Sequence, residues 1–214
     1  SKWRICDTDG WRELTEGEKL WETDCNASNE NEIRKMYSSG KLYLYRCEKS
    51  GSRYKPQLFS YGTFKDSRDD STYQTLKIGS LEWMAEPLAY KGSLKSAWCY
   101  DDDNSDDKYC DYGRLYKPED AKKACPTGWR LPTATEVQNT FKKHSFGDYG
   151  FSLIRGIWDY QPSKKFVYGD YYYWAEITSE TSLGYYGGSP VTYAIDGAYT
   201  LDDGLGVYCV RNAN

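Results

Sequence analysis

The sequence predicts an α+β protein held together by disulfides, built mainly of short, twisted antiparallel strands with two short helices. Three observations predict it. Seven cysteines accompany a single histidine, His144, and no Cys-x-x-Cys pair occurs. One histidine cannot complete the usual zinc sets, so the cysteines are expected as staples in an oxidising compartment. Second, 22 tyrosines and 8 tryptophans supply much of the 39% apolar content, a composition typical of secreted β-rich proteins. Third, turn residues punctuate short alternating segments, and helix starts are read before Glu119 and before Ala134.

With 214 residues, there is room for one good-sized domain and a small accessory one. A net charge of −4 lacks the basic footprint of a nucleic-acid binder. No apolar run approaches the length of a membrane-spanning helix. No signal peptide is present in a chain that starts at Ser1, in keeping with one removed either by processing or by where the sequence was cut.

Residues 1–60 read as a small cysteine-containing, β-rich module with its linker, and residues 61–214 as the main domain. In the module, Cys6-Asp-Thr-Asp-Gly-Trp-Arg12 parallels Cys47-Glu-Lys-Ser-Gly-Ser-Arg53, like two copies of one module end. Cys25–Cys47 would then close the surviving copy and leave Cys6 as the free thiol, the chain being part of something longer. Ile33 to Tyr37 and Leu42 to Arg46 flank Ser38-Ser-Gly40 and suit a hairpin. Ile33, Met36 and Tyr37 also fit helical spacing. Gly51 to Asp70 is polar, contains Lys55-Pro56, and reads as linker.

The clearest local signal is Tyr73 to Ile78, Gly79-Ser80, then Leu81 to Met84: two alternating segments around a turn of the II′ type. Cys99 and Cys110 bracket an acidic run, and bridging them would close a short loop worth about 3 kcal/mol. Pro118-Glu-Asp120 opens a helix to Ala124 with proline and acids in its first turn. Thr133-Ala-Thr-Glu136 fits a capping box, with Val137 and Phe141 forming the buried stripe of that helix. Beyond Gly147 come short aromatic strands separated by glycines, ending in a strand Val207 to Val210 that carries Cys209. Joining Cys209 to Cys125 would close most of the domain, worth about 4–5 kcal/mol.

Five ordered blocks carry a resemblance. They are Asp66-Ser-Arg-Asp69, Tyr73 through Glu86, Cys99 with Cys110-Asp-Tyr-Gly-Arg-Leu-Tyr116, Cys125-Pro-Thr-Gly-Trp-Arg-Leu-Pro132, and Tyr208-Cys-Val-Arg211. From about Tyr61 to Arg211 the chain closely resembles the Fibrobacter succinogenes major paralogous domain family. The resemblance implies a C-type lectin-like domain, secreted or on a bacterial surface (the outer-membrane face), with adhesion or a lipoprotein context in keeping. It also implies that Cys125 and Cys209 occupy staple positions. The first module is similar to small repeats found upstream of this domain in multidomain surface proteins.

Among candidate sites, Asp101, Asp103, Ser105 and Asp107 alternate like the first ligands of a calcium loop, making Asp101, Asp103 and Asp107 the candidate metal ligands. Asp106 and Tyr112 stand where such a loop wants glycine and glutamate, so a solvated acidic loop is the plainer reading. No other cofactor is expected. His144, beside Lys142-Lys143, suits a helix terminus better than a catalytic triad. The Arg130-Leu-Pro-Thr133 and Glu136 run is also similar to the formylglycine-generating fold, whose oxidase chemistry needs a reactive cysteine pair; no enzyme is expected. Trp129 and Trp174 are expected in the core. Trp158, Tyr160, Tyr172, Tyr185 and Tyr186 are the candidate ligand-binding residues, because rings with a polar tip stack on sugars and hydrogen-bond at their edge. The expectation is non-catalytic polysaccharide recognition at a bacterial surface. The alternative is a structural or protein-interaction module with a surface protein as partner, and the oxidase is a distant third.

Overall fold

The computed structural model describes residues 4–7, 10–21, 25–39, 41–99, 110, 113–141, 146–152, 157–159, 165–167, 172–176, 183–187, 192–194 and 203–213. It is an α+β chain of short helices and mainly antiparallel sheets, in two units: residues 1–60 with 148–150, and residues 61–147 with 151–214.

In the first unit, β1 (Arg4–Asp7) and β2 (Gly10–Glu13) form a hairpin. Helix α1 (Glu16–Trp21) follows, then β3 (Ile33–Ser38), β4 (Lys41–Ser50) and β5 (Arg53–Phe59), an antiparallel sheet in that order. Ile33 to Tyr37 are strand, not helix, because every residue of β3 finds a cross-strand partner in β4. The linker expected over 51–70 is corrected. Residues 53–59 pair with β4 along their length and residues 62–65 form another strand. Pro56 made this stretch look irregular, yet β5 is an edge strand, where a missing N–H costs no ladder bond.

Helix α1 was not expected, although its start carries the same signal as Thr133-Ala-Thr-Glu136. The Thr15 hydroxyl accepts from the Glu18 N–H at 3.2 Å, and the Glu18 carboxylate accepts from the Thr15 N–H at 2.9 Å. Arg12 donates to both Glu18 oxygens at 2.7 and 2.6 Å. That contact, ahead of burial, which opposes it, and of Thr15, holds the Glu18 pKa at about 2. A depressed carboxylate pKa contributes stability that is present above its unfolded value, near 4.3, and lost as pH falls through about 2. Glu18→Gln is therefore expected to destabilise the chain at pH 7 and to leave it unchanged near pH 1.5, as read by urea midpoints at the two pH values.

The helix packs on one face of the β3–β4–β5 sheet. Gly17 lies so close to the Tyr45 ring that an added Cβ would come within 2.6 Å, and the Arg34 guanidinium lies over the fully buried Trp21 ring at 3.8 Å. Arg34 and Tyr45 are cross-strand partners, so they mark the covered face. Cys25–Cys47 ties the chain after α1 to β4.

The second unit starts with β6 (Gly62–Lys65), β7 (Thr72–Ile78) and β8 (Leu81–Met84). Ile78 faces Leu81 across a two-residue loop, and Gly79 is at φ +60° while Ser80 is outside the left-handed region, the II′ pattern expected. Next come β9 (Ala97–Cys99), β10 (Arg114–Tyr116), α2 (Pro118–Ala124) and α3 (Ala134–Thr140). Both capping-box bonds of α3 form: the Thr133 hydroxyl accepts from the Glu136 N–H, and the Glu136 carboxylate from the Thr133 N–H. The remaining strands are β11 (Ile157–Asp159), β12 (Lys165–Val167), β13 (Tyr172–Glu176), β14 (Leu183–Gly187), β15 (Thr192–Ala194), β16 (Leu205–Gly206) and β17 (Val210–Asn212).

These strands make a four-stranded sheet, β17-β8-β7-β6, a six-stranded sheet, β15-β14-β13-β16-β10-β9, and the pair β11-β12. One pairing, β13 with β16, is parallel. The strand expected over 207–210 begins only at Val210, leaving Cys209 just before it. The reason is that the chain leaves β16 in one sheet and enters β17 in the other, so 207–209 is the crossover between them.

Candidate functional site

Strand β13 is where the aromatic third of the chain meets the core. Tyr173 and Trp174 are adjacent, so they point to opposite faces of the sheet, and both are buried. On one side the Trp174 indole donates to the Tyr116 carbonyl at 2.6 Å. Tyr116 in turn donates through its hydroxyl to the carbonyls of Leu88 and Tyr90, at 3.0 and 2.7 Å. Full burial raises its pKa well above the usual value, so it stays a neutral donor. On the other side the Tyr173 ring meets Tyr208 edge-on, centroids 4.5 Å apart, and the Tyr208 hydroxyl donates to the Ser152 carbonyl. β13 is thus fixed from both faces.

The hairpin β14–β15 extends outward from this fixed strand to the sheet edge. Its register sets Tyr173, Tyr186 and Tyr193 in one cross-strand row, and Trp174, Tyr185 and Ala194 in the next. Tyr172, opposite Gly187, is half-buried against the core. Three of the predicted binding residues lie on these paired strands, Tyr172 and Tyr185 in rows of one face and Tyr186 in a row of the opposite face. Trp158 does not join them: it lies opposite Phe166 in the separate β11–β12 pair. Tyr160, the candidate calcium ligands Asp101, Asp103 and Asp107, and His144 lie outside the described residues. Among the described residues, no group of three or more His, Cys, Asp or Glu side chains is placed to hold a metal ion.

The cysteines form three disulfides, Cys25–Cys47, Cys99–Cys110 and Cys125–Cys209. Cys6 sits on β1 opposite Trp11. Behind Cys99, the buried Arg114 guanidinium donates to the Ala89 and Ala97 carbonyls. Around Cys125, the turn closes with the Trp129 N–H donating to the Pro126 carbonyl, and Arg130 pairs with Val210. Trp129 is buried between Phe64, 5.0 Å away, and the Arg211 guanidinium, 4.4 Å over its ring. In the turn between β6 and β7, Asp66 is fully buried. Its burial raises the pKa, but hydrogen bonds from the Arg68 guanidinium and N–H outweigh that and hold the carboxyl below its usual range. Arg68 then lies over the Tyr90 ring at 3.7 Å, binding the turn to the segment that Tyr116 holds.

The II′ hairpin, the Cys99–Cys110 bridge, the Cys125 to Trp129 turn and the α3 capping box fall in sequence within one segment. That segment, residues 76–148, matches the Fibrobacter succinogenes major domain. The match begins at Leu76 in β7, takes in both helices of the second unit and ends before the strands β13–β15. No curated protein and no solved structure matches the chain.

The ligand-binding candidates of the sequence all lie in the last third, and the exposed apolar residues of the first unit are not among them. There Trp11, Tyr37, Leu42 and Leu58 are exposed, Tyr37 at 74%. The signal was present: Tyr37 and Leu42 flank the expected hairpin turn and must share a face as cross-strand partners.

Proposed function

We propose that the chain is a non-catalytic binding protein, secreted or at a bacterial cell surface, whose second unit is a C-type lectin-like domain that recognises polysaccharide. The observation that carries this reading is the pair of tyrosine-containing rows on β13, β14 and β15, at the edge of a sheet anchored through Tyr173 and Trp174. Tyrosines concentrated on strands that pair outward from an anchored one suit stacking on pyranose faces, with phenol hydroxyls for the sugar edges. Burial of Cys209 within a disulfide supports a staple rather than a reactive pair, and so speaks for binding over oxidase chemistry.

The test is affinity electrophoresis in gels containing neutral plant cell-wall polysaccharides, with and without calcium. Retardation is expected, and the Tyr185→Ala/Tyr186→Ala double variant should weaken it by roughly tenfold, the equivalent of about 1.4 kcal/mol. Absence of retardation by every glycan in both conditions would overturn the reading, as would a double variant retarded like the parent. A second reading, a protein-interaction module of a multidomain surface protein, is favoured by the exposed Trp11 and Leu58 of the first unit.

A further inference from the structure

We infer that the face of the β3–β4–β5 sheet left open by α1 is a second binding surface, and that its occupant is an acidic polysaccharide. The inference stands apart from the tyrosine rows, since it concerns the other unit. Strand register places Lys35, Arg46, Lys55 and Arg53 on this one face, in four successive cross-strand rows. Rows on one face recur every two residues, about 7 Å, so these cations mark a track about 20 Å long. Lys35, Lys55 and Arg53 are exposed. Glu48 is the single acid among the strand residues of that face, and it accepts from Arg46 at 2.7 Å.

A face with four cations and one anion reverses the sign of a chain whose net charge is −4, and such a reversal attracts a polyanion. Rings interleave with the charges. Tyr37 lies one row beyond Lys35 and is 74% exposed, and Phe59, in the row of Lys35, has the Arg46 guanidinium 4.7 Å over its ring. Evenly spaced cations beside ring faces match a linear chain of uronic-acid sugars, whose carboxylates recur while their pyranose faces stack. A protein partner fits less well. Protein interfaces are depleted of lysine, and here Lys35 and Lys55 both lie exposed on the face.

Affinity electrophoresis of the full chain in polygalacturonate gels tests this, with neutral hydroxyethylcellulose gels alongside. Retardation by polygalacturonate is expected, weakening steeply as NaCl is added. The Lys35→Gln/Lys55→Gln variant, with an unchanged melting temperature because both side chains are exposed, should bind at least about tenfold more weakly. Tyr185→Ala/Tyr186→Ala should leave polygalacturonate binding unchanged. Retardation by polygalacturonate alone, lost only in the lysine variant, supports the inference and removes the tyrosine-row reading. Retardation only by the neutral polymer removes the inference and keeps that reading. The inference is also overturned if the lysine variant is retarded like the parent, or if a glutamate–tyrosine copolymer is bound while polygalacturonate is not.

Discussion

Replacing Cys125 and Cys209 together by alanine is expected to lower stability by about 4–5 kcal/mol, and the melting temperature by roughly 10–15 °C. The bridge spans 84 residues of sequence, so it removes a large loop-closure entropy from the unfolded chain. It also sits in a cluster of buried residues that includes Trp129, Leu131, Trp174 and Val207, where Cys209 is fully buried. Losing both sulfurs therefore opens a small void in addition to freeing the chain. Calorimetry of the variant measures the sum. A fall of less than about 3 °C would show that packing around residues 125 and 209 holds the fold without the bond.

Trp83→Ala should cost about 3–5 kcal/mol, moving the urea midpoint down by roughly 1.5–2.5 M. Trp83 is fully buried on β8 and is the hub of a ring cluster, meeting Phe141, Phe146 and Phe151 at centroid distances of 5.2, 6.5 and 6.0 Å. Phe141 comes from the end of α3 and Trp83 from the four-stranded sheet, so the truncation loosens helix from sheet. Trp83→Phe should be far milder, below about 1.5 kcal/mol. The Trp83 indole N–H has no hydrogen-bond partner among the described residues, so exchanging it for a phenyl ring sacrifices contact area but no polar bond. Equal costs for the two variants would mean that shape, rather than buried area, governs this cluster.

Local signals were legible wherever one short stretch decides its own conformation. Gly79-Ser80 between alternating segments and Thr133 with Glu136 are of this kind, since turn and cap chemistry act within four residues. The composition likewise pointed to disulfides, which are present. Strand β5 was hidden because Pro56 and its charges argue against a strand unless one knows that it lies on an edge. Helix α1, at six residues, is too short for an apolar period to show, and only Thr15 and Glu18 announced it. The parallel pairing of Tyr173 with Gly206 joins residues far apart in sequence, and no local pattern encodes it. The same holds for the candidate site. That tyrosines crowd the last third is plain in the sequence, but which of them share a row is set by strand register.

The crossover from β16 to β17 bears on the order in which the second unit can assemble. Within residues 205–212 the chain first slots between β13 and β10 in one sheet and then lines the edge of the other beside β8. Until this segment leaves the ribosome, β13 and β10 have no neighbour to join them, β8 is bare on one side, and Cys125 has no Cys209. Strands made a hundred residues earlier must wait for it. The unit therefore completes its two sheets in one late event, rather than growing strand by strand as it is synthesised.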